Sequence, residues 1–319
     1  MTRILDYLRD YFHDEWSPRL FLVAGTFLAF CFVINYEFDF ERRFTDGVEN
    51  PLQQFLFYFF FYGIPYAVTL VIAAATSKKQ IVTSRKQFSV LYFFAFALLA
   101  FYVVLHNLPG LLLKNPPAWL QSVPRHDHLY FTRYASNFLP AVVITLPLFL
   151  YWLRHDREDS RFYGFSTSAI SLTTYFTILL ILLPIIVAVS FGKDFQAAYP
   201  RYKFGLPENA TGMEKNLLIA GFEFCYGLDF IAVELLFRGF MVMAFKRHLG
   251  SGAILPMVVV YCLIHFQKPM GEAIGAIAGG LVLGVISYRT KSIYGGVILH
   301  LGVAYMMEIA GTIHLILLT

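Results

Sequence analysis

Along its 319 residues the chain repeats one pattern: an apolar run long enough to cross a bilayer, then a polar stretch with charges, glycine or proline. A spanning helix needs about 20 apolar residues, and by that ruler the runs predict about nine spans, or eight if the shortest does not cross. They fall near 20–36, 52–76, 88–106, 130–153, 166–191, 216–245, 252–266, 272–288 and 295–317, with 252–266 the shortest. Ahead of them, Ile4, Leu5, Leu8, Tyr11 and Phe12 recur at helical spacing among charges, so residues 1–19 are expected to form an amphipathic interfacial helix. The expected fold is all-α, a polytopic transmembrane helix bundle. Residues 20–191 supply an amino-terminal region of about five spans, 192–215 an extramembrane loop, and 216–319 a carboxy-terminal core. The connections 107–128 and 192–215 hold prolines, histidines and charges and are expected to cap one side.

Composition sharpens this picture. The chain is 58% hydrophobic and 14% charged, against about 25% charged residues in soluble domains. Its 34 Phe and 20 Tyr suit a lipid-facing and interfacial surface. The net charge of +4 is small and resides in loops, which gives no case for nucleic acid binding. Cys31, Cys225 and Cys262 all lie in apolar stretches and form no CxxC, so neither a disulfide framework nor a zinc knuckle is indicated. The amino-terminal stretch lacks the form of a cleavable signal peptide, and the first span is expected to stay as an anchor. Lys and Arg are denser on one set of connections (among them Arg9, Arg19, Lys78, Lys79, Arg85, Lys86, Arg154, Arg157, Lys246, Arg247, Arg289 and Lys291), which places the amino terminus on the cytoplasmic side.

The run 216–245 departs from the pattern by carrying Glu223, Asp229, Glu234 and Arg238. Glu234 and Arg238 are four apart, so a helix brings them to one face. Charges at membrane depth are costly and tend to pair, facing a protein interior or a water-filled cavity. Two later runs add His265, and His300 with Glu308. A structural ion pair and hydrogen-bonded packing histidines are one reading of this set. The other is a dry cavity in which a carboxylate acts as base, imidazoles orient water or stabilise an oxyanion, and a guanidinium holds a carboxylate in place. His265, His300 and one carboxylate would also form a two-histidine, one-carboxylate metal set, though without HExxH spacing, so no cofactor is expected.

The segments VELLFRGF, YCLIH and GGLVLGVISYRTKSIYGGVILHLGVA resemble the three-motif core of the CAAX protease and bacteriocin-processing (CPBP) family of intramembrane endopeptidases. The resemblance covers about 215–312. The family pattern is Glu-Glu-x-x-x-Arg, then Phe-x-x-x-His, then His-x-x-x-Asn or Asp. Carried over residue by residue, it implies that Glu234, Arg238, His265 and His300 are the catalytic set, with Tyr261 where Phe is usual. Val233 stands in place of the first Glu and Ala304 in place of the final Asn or Asp. Asp229, one turn before Val233, and Glu308, one turn after Ala304, are the candidate rescue acids.

The resemblance implies peptide-bond hydrolysis on a membrane-embedded or lipidated protein, in a bacterial inner membrane. A catalytically degenerate relative that binds a membrane partner, and a transporter lined by the buried charges, are the competing readings. Other features take plain roles. Gly275, Gly279, Gly280 and Gly284, like Gly295, Gly296 and Gly302, read as close helix–helix contacts. Phe57 to Tyr62 reads as lipid-facing or packed on a neighbouring helix, and Lys78, Lys79, Arg85 and Lys86 as an ordinary positive loop with head-group binding as the alternative.

Overall fold

The structure is a computed structural model, which describes residues 2–45, 48, 50–76, 85–114, 117–121, 125–158, 161–167, 171–204, 206–207 and 210–318. Lys78, Lys79 and the side chain of Arg85 therefore lie outside the described residues. The helices in chain order are α1 (Thr2–Glu15), α2 (Pro18–Phe38), α3 (Phe40–Thr45), α4 (Pro51–Thr76), α5 (Arg85–Lys114), α6 (Ala118–Gln121), α7 (Arg125–His155), α8 (Leu172–Ser190), α9 (Lys193–Ala198), α10 (Gly212–Glu234), α11 (Lys246–Leu249), α12 (Ile254–Leu263), α13 (Met270–Thr290) and α14 (Tyr294–Leu318). Leu235–Ala244 continues α10 as a wider π-helix. No strand occurs among the described residues, and the expected all-α bundle is what forms.

Local chemistry sets the helix ends. The Ser17 hydroxyl accepts the Leu20 N–H at 3.3 Å, and Pro18 opens α2 where its missing donor costs nothing. Asp39 and Lys291 close α2 and α13 in the left-handed region, at φ 49° and 53°. α5 and α7 run further than the apolar runs suggest, to Lys114 and from Arg125, so much of the expected 107–128 loop is helix.

Among the described residues seven helices are long and apolar enough to cross a membrane: 18–38, 51–76, 86–107, 134–155, 172–190, 270–290 and 294–317. Two of the expected nine fall short for physical reasons. The run 216–245 carries four ionisable side chains and is split by its change of helix type. α12 has 10 residues, about 15 Å at the helical rise. α8 shows what the lipid-facing helices look like: Phe176, Leu180 and Ile185 are largely exposed apolar surface, tolerable where lipid replaces water.

The chain divides into two compact units. The first comprises 1–101, 148–170 and 234–296; the second comprises 102–147, 171–233 and 297–319. In the first unit α12 packs against α13, α4 and the π-helix. Gly280 and Gly284 permit this approach, since a Cβ there would lie 3.0 Å from Tyr261 and 2.7 Å from Met257. Gly275 and Gly279 meet nothing within 4 Å, so only half of the expected small-residue stripe is a contact. Tyr58, Tyr62 and Tyr66 line the buried side of α4, while Phe60 is exposed, so the aromatic run divides by helical phase. α1 buries Ile4 and Tyr11 and exposes Leu5. It is tied down by Asp14–Arg289 at 3.2 Å and by a Ser251–Glu15 hydrogen bond.

A polar node joins several connections of this unit. Buried Asp156 receives the Tyr163 hydroxyl and the Arg247 guanidinium, each at 2.5 Å. The Ser292 hydroxyl donates to Ser166 O at 2.6 Å, and Ile293 N donates to Gly164 O at 3.0 Å. Burial and the neighbouring Asp156 push the Tyr163 phenol well above its ordinary pKa.

In the second unit α10 lies against α7 and α14. A Cβ at Gly221 would strike the Tyr134 ring, and one at Gly227 would strike Tyr305, whose hydroxyl donates to Glu223 O at 3.0 Å. Gly302 faces Leu179 of α8, the close contact expected of it.

Candidate functional site

The two most deeply buried charges of the first unit are Glu234 and Arg238, whose side chains are wholly inaccessible. The junction between α10 and the π-helix sets them on one face, with Arg238 Nη1 2.9 Å from Glu234 Oε1. π-helical turns are uncommon and occur often at functional sites. The Arg238 guanidinium carbon lies 3.9 Å from the centre of the Tyr261 ring, a cation–π contact that is strengthened by exclusion of water. The pair is close but not aligned as a hydrogen bond, and among the described residues the guanidinium is held by its charge on Glu234 and by the Tyr261 side chain. Gly296 backs the carboxylate so closely that any Cβ there would collide with Glu234. Its role is to make room for the carboxylate, which the expected helix–helix reading did not identify.

His265 lies two residues beyond the end of α12 and is buried. Its ring meets Tyr261 edge-on at 4.8 Å between centroids, and Nδ1 lies 2.8 Å from Tyr261 O. A carbonyl only accepts, so Nδ1 carries the proton and the lone pair of the neutral ring falls to Nε2. Tyr261 thus links the guanidinium to the imidazole, through its ring to one and its carbonyl to the other. The first unit brings together Glu234, Arg238, Tyr261 and His265.

The other sequence candidates lie in the second unit. His300 on α14 packs edge-on against Phe230, 4.5 Å between ring centroids. Val233 and Ala304, the two departures from the motif, are both buried and apolar. Asp229 is buried, with Oδ2 receiving the Tyr102 hydroxyl at 3.0 Å and facing His106 Nε2 at 3.2 Å, while Oδ1 has no hydrogen-bond partner among the described residues. Glu308 accepts Arg201 N with both oxygens, at 3.0 and 2.8 Å, and lies against the Glu223 carboxyl. That arrangement anchors the 201–204 turn. Sequence reasoning missed Tyr102 and His106 as partners of Asp229; neither falls in a motif, and helix packing alone brings them to it. No three His, Cys, Asp or Glu side chains among the described residues gather as a metal site would require.

The architecture defines a class: a multi-pass helical membrane protein with a water-excluded carboxylate–guanidinium pair and an adjacent oriented histidine. Residues 217–306 match the family model described as Type II CAAX prenyl endopeptidase Rce1-like. The match lies inside 215–312, where the three motifs stand, and makes this part of the chain similar to the CAAX prenyl endopeptidases of the CPBP family. No curated protein and no solved structure matches the chain.

Proposed function

We propose that the protein is an intramembrane endopeptidase acting on a membrane-embedded or lipidated protein. The observation that carries this reading is Arg238, a wholly buried guanidinium paired with a carboxylate, one aromatic ring away from an oriented imidazole. A buried guanidinium is expensive to keep, and its donors are favourable where an oxyanion develops. In this reading His265 Nε2 takes a proton from water, and the oxygen attacks the scissile carbonyl. Arg238 stabilises the oxyanion, Glu234 holds Arg238 in place, and the imidazolium returns the proton to the leaving amine as the C–N bond breaks. His300 is assigned from the motif alone. Asp229, with one oxygen held by Tyr102 and His106, is the rescue acid with the stronger support; Glu308 is engaged as an anchor. No metal is assigned a role.

A second reading rests on Val233 and Ala304, apolar where the motif has carboxylate or amide: a cavity kept for binding a membrane peptide without cutting it. Purified protein with fluorogenic membrane peptides, prenylated and unprenylated, separates the two. Cleavage by wild type that His265→Ala abolishes supports the endopeptidase. Silence from wild type with cleavage gained in Val233→Glu supports the binding reading.

The amino terminus is assigned to the cytoplasm of a bacterial inner membrane. Arg289 is paired with Asp14 of the amino-terminal helix, and Arg247 with Asp156, which suits one positive side for these connections. Impermeant thiol labelling of Ser251→Cys against Gly212→Cys checks the orientation.

A further inference from the structure

We propose that Asn35, Glu41 and Tyr58, from the first helices of the chain, are positioning residues for His265, acting through the turn that follows it. The inference rests on the reading of His265 as a catalytic group and gives the amino-terminal helices a role in that chemistry.

The segment 264–269 carries His265 as it leaves α12 and enters α13. Its first N–H groups close local turns onto Val260, Cys262, Leu263 and His265, and the carbonyls they leave over need partners from other elements. Buried Asn35 on α2 donates Nδ2 to Phe266 O at 3.2 Å, and its Oδ1 accepts Glu41 N at 3.1 Å. Gln267 donates Nε2 to Glu41 Oε1 at 3.0 Å and to the Tyr58 hydroxyl at 3.1 Å. The Tyr36 hydroxyl donates to Lys268 O at 3.0 Å. The Phe266 ring is held by Phe32 at 5.0 Å and Tyr36 at 5.8 Å between centroids. Three consecutive residues after His265 are thus each gripped by α2, α3 or α4, and all partners lie in the first unit.

The grip suits positioning. Asn35 and Glu41 are buried at a span end where a solvated residue would serve ordinary folding. Burying a carboxylate is costly, and this one faces Gln267 and Tyr58 with no basic side chain bonded to it. The Glu41 carboxyl is pushed up to about 7 by burial, with the Gln267 and Tyr58 hydrogen bonds opposing the shift. A buried polar network next to a reacting group can fix its orientation, and here Glu41 Oε1 and both polar ends of Asn35 are engaged.

The test uses full-length protein in detergent with two readouts. Backbone hydrogen exchange of the 264–269 peptide is compared with that of 301–312, and kcat and KM are measured on a cleaved peptide. Asn35→Ala, Gln267→Ala and Glu41→Ala are expected to raise exchange at 264–269 but not at 301–312. They should lower kcat about tenfold with KM within about twofold. Glu41→Gln keeps an acceptor oxygen for Gln267 and is expected to retain wild-type exchange and kcat. Unchanged exchange at 264–269 in the alanine variants, equal loosening of both peptides, or failure of Glu41→Gln where Glu41→Ala also fails would overturn the proposal. Local loosening with no change in kcat would also overturn it. A wild type that cuts nothing would remove the endopeptidase reading instead, and the exchange comparison would then decide whether these residues hold the turn.

Discussion

Removing one partner of the Glu234–Arg238 pair is the sharpest perturbation available. Both side chains are inaccessible, so Glu234→Ala leaves a guanidinium in a dry interior with only the Tyr261 ring to face. Unit charges about 4 Å apart attract by about 4 kcal/mol at an effective dielectric near 20. Breaking a buried pair costs about 3–5 kcal/mol. The expected consequence is a fall in Tm on the order of 10 °C. Arg238→Met should cost a similar amount by stranding the carboxylate. The double variant Glu234→Leu/Arg238→Met removes both charges and should be more stable than either single variant, because replacing a whole buried pair by apolar groups is often neutral. The assay is thermal unfolding in detergent, followed by tryptophan fluorescence, for all four proteins. A loss below about 1 kcal/mol in Glu234→Ala, or a double variant that simply adds the two single losses, would refute the reasoning.

Three further outcomes are expected. Gly296→Ala forces a methyl onto the Glu234 carboxylate and should lower stability by about 1–3 kcal/mol, read as a lower Tm, together with loss of any peptide cleavage. Gly284→Leu should be destabilising by a similar overpacking against Met257 and Ile254, while Gly279→Leu, which meets open space, should leave Tm unchanged; equal effects would contradict the packing of α12 on α13. Because Glu41 has a folded pKa of about 7, above its ordinary 4.5, its protonated form is favoured in the folded state. The stability this contributes is present in full below pH 4.5 and is lost as pH rises to 7, by about 3 kcal/mol at about 1.36 kcal/mol per pKa unit. Glu41→Gln should flatten that part of the pH profile of Tm and be the more stable protein at pH 8.

Much of this architecture was legible in the sequence. Apolar run length alone located the helices, because a bilayer imposes length and hydropathy directly. At 216–245 and 252–266 the helices that form are not counted among those long and apolar enough to cross, because the first carries ionisable groups and a change of helix type and the second is short. Glu234, Arg238 and His265 were legible because ionisable residues stand out in apolar runs, and the structure joins them through Tyr261. Gly296 was not, since a glycine that makes room for a carboxylate reads like one that makes room for a helix. Asn35, Glu41 and Gln267 carried no local signal: each sits at an element end, where polar residues are ordinary, and only the packing of α2, α3 and α4 around the 264–269 turn gives them a shared task. The partners of Asp229 depend on tertiary contact in the same way.

The most direct measurement is the initial rate of peptide cleavage by detergent-purified wild type beside His265→Ala and Arg238→Met, with folding of each variant confirmed by size-exclusion chromatography. The account predicts a measurable wild-type rate on a membrane-anchored peptide and a fall of at least about a hundredfold in both variants. Cleavage that survives His265→Ala in a folded protein would contradict it.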